Sequence, residues 1–191
     1  MKQDIIIVGV GGQGTLLASK IIGNIALKNG LDIKVSEVHG MAQRGGSVIT
    51  HVRIGKEILS PLVSEKEGDF ILAFEELEAG RGIPFLKKGG TLIVNTQEIY
   101  PMPVISGTAQ YPENPFAKAF KIGRVQEINA LAIAQECGNA KAVNMVLLGK
   151  LASYLPWEKK QWHKAIEESV KPQTIQTNLN AFDRGAAWEH R

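Results

Sequence analysis

Apolar residues in the first hundred positions fall into short unbroken runs separated by segments of helical period. Ile5-Ile6-Ile7-Val8 is one such run, and its lack of alternation predicts a strand covered on both faces. Leu17, Ile21, Ile22 and Ile25 then recur at helical spacing over 15–28, with Asn29-Gly30 as the stop. Ile33, Val35 and Val38 mark a second strand within 31–38. Over 47–54, Val48, Thr50, Val52 and Ile54 share one face, while Ser47, Ile49, His51 and Arg53 share the other. Gly55-Lys56 reads as a two-residue turn, so Glu57-Ile58-Leu59-Ser60 is expected to return as a hairpin strand. Asp69 to Phe74 and Thr91 to Asn95 are two more buried strands, with a short helix over 75–86 and a turn at Lys87-Lys88-Gly89-Gly90 between them.

Beyond Asn95 the pattern changes. Pro101, Pro103 and Pro112 break up the chain, leaving 104–111 as an edge strand or extended loop. From Asn114 on the periodicity is helical: a short helix at 116–120, then helices over 125–136, 142–154, 158–170 and 175–188. The third of these is apolar nearly all round and should be buried. The expected architecture is α/β: a mainly parallel sheet between helix layers, with an inserted β-hairpin and a helical C-terminal region. One domain over 1–191 suits this length, sheet-rich over 1–112 and mostly helical over 113–191.

The chemistry concentrates where the first strand ends. Gly9-Val10-Gly11-Gly12-Gln13-Gly14 joins that strand to the first helix and fits G-x-G-x-x-G. Such glycines permit a sharp turn, close approach to the backbone, and tight helix–strand packing. A helix N-terminus there presents free N–H groups to an anion. Glu37, near the end of the second strand, stands about where a dinucleotide-binding fold places its ribose-binding acid. A nucleotide, a phosphate, a partner chain and an empty structural turn all fit these residues. A second cluster, Glu37 to Ser47, follows the second strand and should lie at the same carboxyl edge. Within it Arg44, flanked by Gly45 and Gly46, can grip a carboxylate or phosphate beside open backbone; a solvated loop is the plain alternative. His51 and Arg53 read as the wet side of the hairpin. Glu75-Glu76 and Glu167-Glu168 read as solvated surface.

Composition narrows the classes. A net charge of +3, spread along the chain, gives no support to nucleic-acid binding. No apolar run approaches the roughly 20 residues of a membrane span, and the chain enters a strand at once, so neither a membrane nor a secretory signal is expected. The one cysteine, Cys137, fits a cytoplasmic protein and cannot by itself hold an iron–sulfur cluster, which takes about four ligands. No histidine or cysteine spacing suits a metal, and neither a nucleophile elbow nor a P-loop lysine occurs, so no catalytic residue is expected in this chain.

The pairing of Ile6-Ile7-Val8-Gly9-Val10-Gly11-Gly12-Gln13-Gly14 with Ser36-Glu37-Val38-His39-Gly40-Met41-Ala42-Gln43-Arg44-Gly45-Gly46-Ser47-Val48 resembles the gamma-type domain of the 2-oxoacid:ferredoxin oxidoreductases, most of all their indolepyruvate branch. His51 to Ile54 and Asn178 to Phe182 are similar as well. The resemblance spans almost the whole chain and implies a Rossmann-like, three-layer fold. It implies a small subunit of an enzyme that oxidatively decarboxylates a 2-oxo acid to an acyl-coenzyme A and reduces ferredoxin. The cofactors of such an enzyme, thiamine diphosphate and iron–sulfur clusters, would sit in a large alpha subunit; ferredoxin would be met through the complex. The resemblance places Gly9, Gly11, Gly12, Gln13, Gly14, Arg44, Gly45 and Gly46 as a contact for a coenzyme A phosphate or the partner subunit. A gamma subunit of a pyruvate or ketoisovalerate enzyme, a free-standing NAD-binding module and a self-associating scaffold are the other readings.

Overall fold

The computed structural model describes residues 2–40 and 46–189. Strand β1 (Gln3–Val10) runs through the glycine turn into helix α1 (Thr15–Lys28), followed by β2 (Asp32–His39), β3 (Ser47–Gly55) and β4 (Gly68–Ala73). Then come α2 (Glu76–Gly82), β5 (Leu86–Asn95), the single helical turn α3 (Met102–Ile105), β6 (Arg124–Ile128) and α4 (Ala130–Glu136). Helices α5 (Val143–Ala152), α6 (Lys159–Glu167) and α7 (Ile175–Ala186) complete the described chain. The six strands lie in the order β2-β3-β1-β4-β5-β6. β4 is parallel to β1, β5 to β4 and β6 to β5, whereas β3 is antiparallel to both β1 and β2. The sheet is thus mainly parallel, with β3 wedged in reverse.

The pleat of β1 divides the core. Ile5 and Ile7 face α1, α5, α6 and α7, together with Val52, Ile54, Leu72 and Ile93. Ile6 and Val8 face the other way, against Ile71, Ala73, Leu92, Val94, Ala79 of α2 and Phe116. Cover on both faces explains why β1 is continuously apolar. Every residue of α5 from Val143 to Leu151 is buried, as its nearly all-round apolar pattern predicted.

Four sequence expectations change. The hairpin return at 57–60 does not form, because β1 and β2 already occupy both edges of β3; the Asp32 carboxylate instead accepts the Ile58 N–H at 2.9 Å. The antiparallel hairpin is β2–β3, joined through 40–46. Lys87 to Gly90 lies inside β5, not in a turn, with Gly89 at φ 78° beside a register shift against β4. Of the edge strand or loop expected over 104–111 the strand does not form: α3 takes 102–105 and a loop follows over 106–111. The helix expected over 125–136 splits, because Arg124–Ile128 extends the sheet at the free edge of β5 and Asn129 caps α4 by accepting the Ala132 N–H.

Both faces of β3 are covered, which also corrects its wet side. His51 is only 7% exposed. Its Nδ1 accepts the Val63 N–H at 3.2 Å, its ring meets Phe85 edge-on, and burial holds its pKa below the ordinary value. Arg53 is likewise engaged, by Asp4.

Candidate functional site at the carboxyl edge

The glycine turn closes on itself. Gln13 N–H donates to Val10 O at 3.2 Å, while the Gln13 side chain folds back beneath it. Its Oε1 accepts the Val10 N–H at 2.8 Å, and its Nε2 donates to Phe74 O at 3.1 Å. A Cβ on Gly9 would stand 2.7 Å from that Oε1. Gly14, at φ 89°, would place a Cβ 2.5 Å from Nδ2 of Asn144. These two glycines therefore make room for side chains of this chain, whereas Gly12, at φ 98°, faces open space. Asn95 extends the network: its Nδ2 also reaches Phe74 O, at 3.1 Å, and its Oδ1 accepts the Ala130 N–H at 3.0 Å. The carboxyl ends of β1, β4 and β5 are thereby tied to the start of α4.

The second motif meets the first at Gly46. Gly11 N–H donates to Gly46 O at 2.9 Å, and Gly40 N–H donates to Ser47 O at 2.8 Å. Arg44 and Gly45 lie outside the described residues. Ser47 donates through its hydroxyl to Glu78, which is 2% exposed and also pairs with Arg81. Burial raises the Glu78 pKa above the ordinary 4.5, with Ser47 and Arg81 opposing the shift. Because the folded value lies above the unfolded one, the Glu78 contribution is complete below about pH 4.5 and is lost as pH rises through the folded value. Glu78→Gln should therefore gain stability relative to the parent chain as urea unfolding is repeated from acid toward neutral pH. A difference that does not change with pH would contradict the buried carboxylate.

Glu75, expected on the surface, is 1% exposed. It caps α2, with Oε2 accepting the Glu78 N–H at 2.9 Å, and its Oε1 accepts the Ile99 N–H and the Tyr111 hydroxyl. Burial and the hydrogen bond to Glu75 raise the Tyr111 pKa, so the phenol stays protonated. Burial, with repulsion from Glu98, Glu75 and Glu127, raises Glu76 as well.

Glu37 does not offer itself to a ribose. Its Oε2 accepts the Thr50 hydroxyl at 2.9 Å and the Thr15 hydroxyl at 3.3 Å, and its Oε1 lies 2.7 Å from His39 Nε2. The wedged β3 also sets β2 one strand spacing, about 4.8 Å, farther from the glycine turn than direct pairing with β1 would.

What the edge provides is a shaped surface. A cleft of about 210 Å³ opens beside the turn, lined by Gly12, Gln13, Gln97, Ile99 and Lys141 among others. A second, of about 320 Å³, opens beside Leu17 of α1 and shares Lys141. A larger groove, about 770 Å³, lies elsewhere, between α4 and the end of α7. No cluster of three or more metal-ligating side chains occurs among the described residues. No described helix is long and apolar enough to cross a membrane. Sequence reasoning missed Lys141 and Asn144. The signal for Asn144 was a lone amide in an otherwise apolar helix.

The family model described as pyruvate ferredoxin/flavodoxin oxidoreductase matches residues 4–188. Indolepyruvate oxidoreductase subunit IorB of Archaeoglobus fulgidus is 42% identical over 190 residues, covering 97% of this chain and 94% of that protein. The subunit of the same name from Thermococcus kodakarensis is 41% identical over 192 residues, covering 97% and 95%. Among solved structures, pyruvate oxidoreductase subunit PORC of Thermotoga maritima superposes with a TM-score of 0.72 at 24% identity, covering 96% of this chain and 94% of its own.

Proposed function

Because the chain belongs to the pyruvate ferredoxin/flavodoxin oxidoreductase family, we propose that it is the small subunit of an enzyme that oxidatively decarboxylates indolepyruvate or a related aryl pyruvate to the acyl-coenzyme A and reduces ferredoxin. The observation that carries this reading is 42% identity to an indolepyruvate oxidoreductase subunit across 94% of its length. The complex works in the cytoplasm, with neither membrane nor nucleic acid as a partner.

Electron transfer in this reading needs groups that these residues do not fit. A single cysteine cannot ligate an iron–sulfur cluster, which takes about four protein ligands. The clusters and thiamine diphosphate therefore belong to a large alpha subunit, and the isolated small chain is inactive. Its own contribution is positioning. The Gly11–Gly46 contact joins residues 9–14 to the second glycine motif at the carboxyl edge, where open α/β sheets receive ligands. Of the face proposed to contact the alpha subunit or a coenzyme A phosphate, Gly11, Gly12 and Gly46 lie at this edge, Gly9, Gln13 and Gly14 shape the turn from within, and Arg44 and Gly45 are assigned from the motif alone. The internally bonded Gln13 holds that face in one shape.

Arg44→Ala tests the face in the assembled enzyme. We expect weaker retention of the alpha subunit on co-purification, or a KM for coenzyme A raised about tenfold, the loss of one charge-assisted contact. Parent values for both would remove Arg44 from the site.

A further inference from the structure

We infer that the free edge of β2 is a self-association surface, on which a second copy of this chain pairs its own β2 antiparallel and continues the sheet across a twofold axis. β2 ends the strand order, and β3 is its one neighbour among the described residues. Its eight residues keep unbroken register with β3, from Asp32 opposite Gly55 to His39 opposite Val48. No bulge bends this edge away and no proline interrupts it. Such an edge presents unpaired backbone groups to another strand. At the other end of the sheet β6 is only five residues long.

The residues at the edge select the register. A twofold axis normal to the sheet keeps each side chain on its own face, so opposed residues must be both odd-numbered or both even-numbered. Centring the pair on Asp32 or on Lys34 sets like charges against each other, and centring it on Val35 sets Ile33 against Glu37. Centring it on Ile33 opposes Ile33 to its own copy, Asp32 to Lys34, and Leu31, just before the strand, to Val35. On one face Asp32 and Lys34 of the two copies then form a ring of alternating charges, extending the 3.1 Å ion pair that they make within the chain. The other face is apolar. A Cβ on Gly23 would lie 3.5 Å from Ile33 Cδ1, so the stripe of α1 that carries Gly23 runs beside β2. Leu16 and Leu27 fall on the same stripe and are exposed, as is Val35. The second copy supplies the cover that this strip lacks within the chain.

The inference does not rest on the proposed function, because it is read on the full chain without turnover. Sedimentation equilibrium should show a concentration-dependent dimer. Lys34→Asp, an exposed change that sets acid against acid, should raise the dimer dissociation constant about tenfold. Asp32→Lys should do the same by setting base against base. Mixing the two variants should restore the dimer, because every opposed pair is then again of unlike charge. Should Asp32→Lys fold poorly for want of its bond to the Ile58 N–H, crosslinking decides. In a Cys137→Ala background, diamide should join Ile33→Cys to its own copy, because opposed Cα atoms of antiparallel strands stand about 4.5–5.5 Å apart. Val35→Cys should stay unjoined, because it faces Leu31 of the copy. A chain that stays monomeric, a dimer indifferent to Lys34→Asp, or crosslinking at 35 but not at 33 would overturn the proposal. So would crosslinking of Ile33→Cys to the alpha subunit in the assembled enzyme, which would give the β2 edge to that partner.

Discussion

Gly185→Ala is expected to destabilise the protein by about 3 kcal/mol or more, although alanine is the better helix former. Helices α5 and α7 cross with their backbones in contact. A Cβ at position 185 would lie 1.9 Å from the Val146 carbonyl oxygen, and one at Gly149 would lie 2.0 Å from the Phe182 carbonyl oxygen. Neither obstacle is a side chain that can swing aside, so the helices must separate. Separation uncovers Phe182, 1% exposed, and the fully buried Ala181, Val146 and Leu147. An ordinary exposed helix position would gain about 1 kcal/mol from the same change. The sign of the effect is therefore diagnostic, and denaturant unfolding reads it directly. Gly149→Ala should behave alike. The double variant should cost less than the sum of the two, because one separation relieves both clashes. An unchanged midpoint would show that the two helices do not cross this closely.

Arg53→Ala should cost about 3 kcal/mol. The guanidinium grips Asp4 with two bonds, Nε to Oδ1 at 2.8 Å and Nη2 to Oδ2 at 3.3 Å, and its Nη1 donates to Leu62 O at 3.0 Å. The Asp4 side chain is 5% exposed. Removing the arginine leaves a carboxylate between β1 and β3 with only Lys2, 3.5 Å away and exposed, to balance it. Stranding that charge dominates the loss, so adding Asp4→Asn to Arg53→Ala should recover part of it. Urea unfolding of the two single variants and the double variant measures this. Additive losses would contradict a coupled pair.

The legible parts of the sequence were those where local pattern and tertiary setting agree. The run Ile5 to Val8 reads as a doubly covered strand because helices occupy both faces of its sheet. Helix α1 starts at Thr15 and ends at Lys28, as its periodicity and Asn29-Gly30 predicted. Both glycine motifs were visible, and the contact between Gly11 and Gly46 follows from their shared edge. What the pattern concealed was pairing. Alternation over 47–54 looked like one dry face and one wet face, but Val63 and Phe85 cover the second face at His51 and Arg53 turns to Asp4. The same wedge places β3 between β2 and β1 and engages the Glu37 carboxylate with Thr50, Thr15 and His39, which a spacing of about 20 residues cannot reveal. Strand β6 was hidden because Val125 and Ile128 also sit at helical spacing, and only the open edge of β5 makes them a strand. Lys141 and Asn144 became visible as site residues only when the chain brought 139–144 back to the mouth of α1.

If this chain completes a 2-oxoacid:ferredoxin oxidoreductase without carrying its redox chemistry, as proposed, turnover depends on a partner subunit. Co-expression with the proposed thiamine-bearing alpha subunit, followed by an indolepyruvate- and coenzyme A-dependent ferredoxin reduction assay, measures that dependence. A stable complex, turnover by that complex and none by the small chain alone are expected. Turnover by the isolated chain, or full activity of the alpha subunit without it, would contradict the assignment of a completing, non-redox subunit.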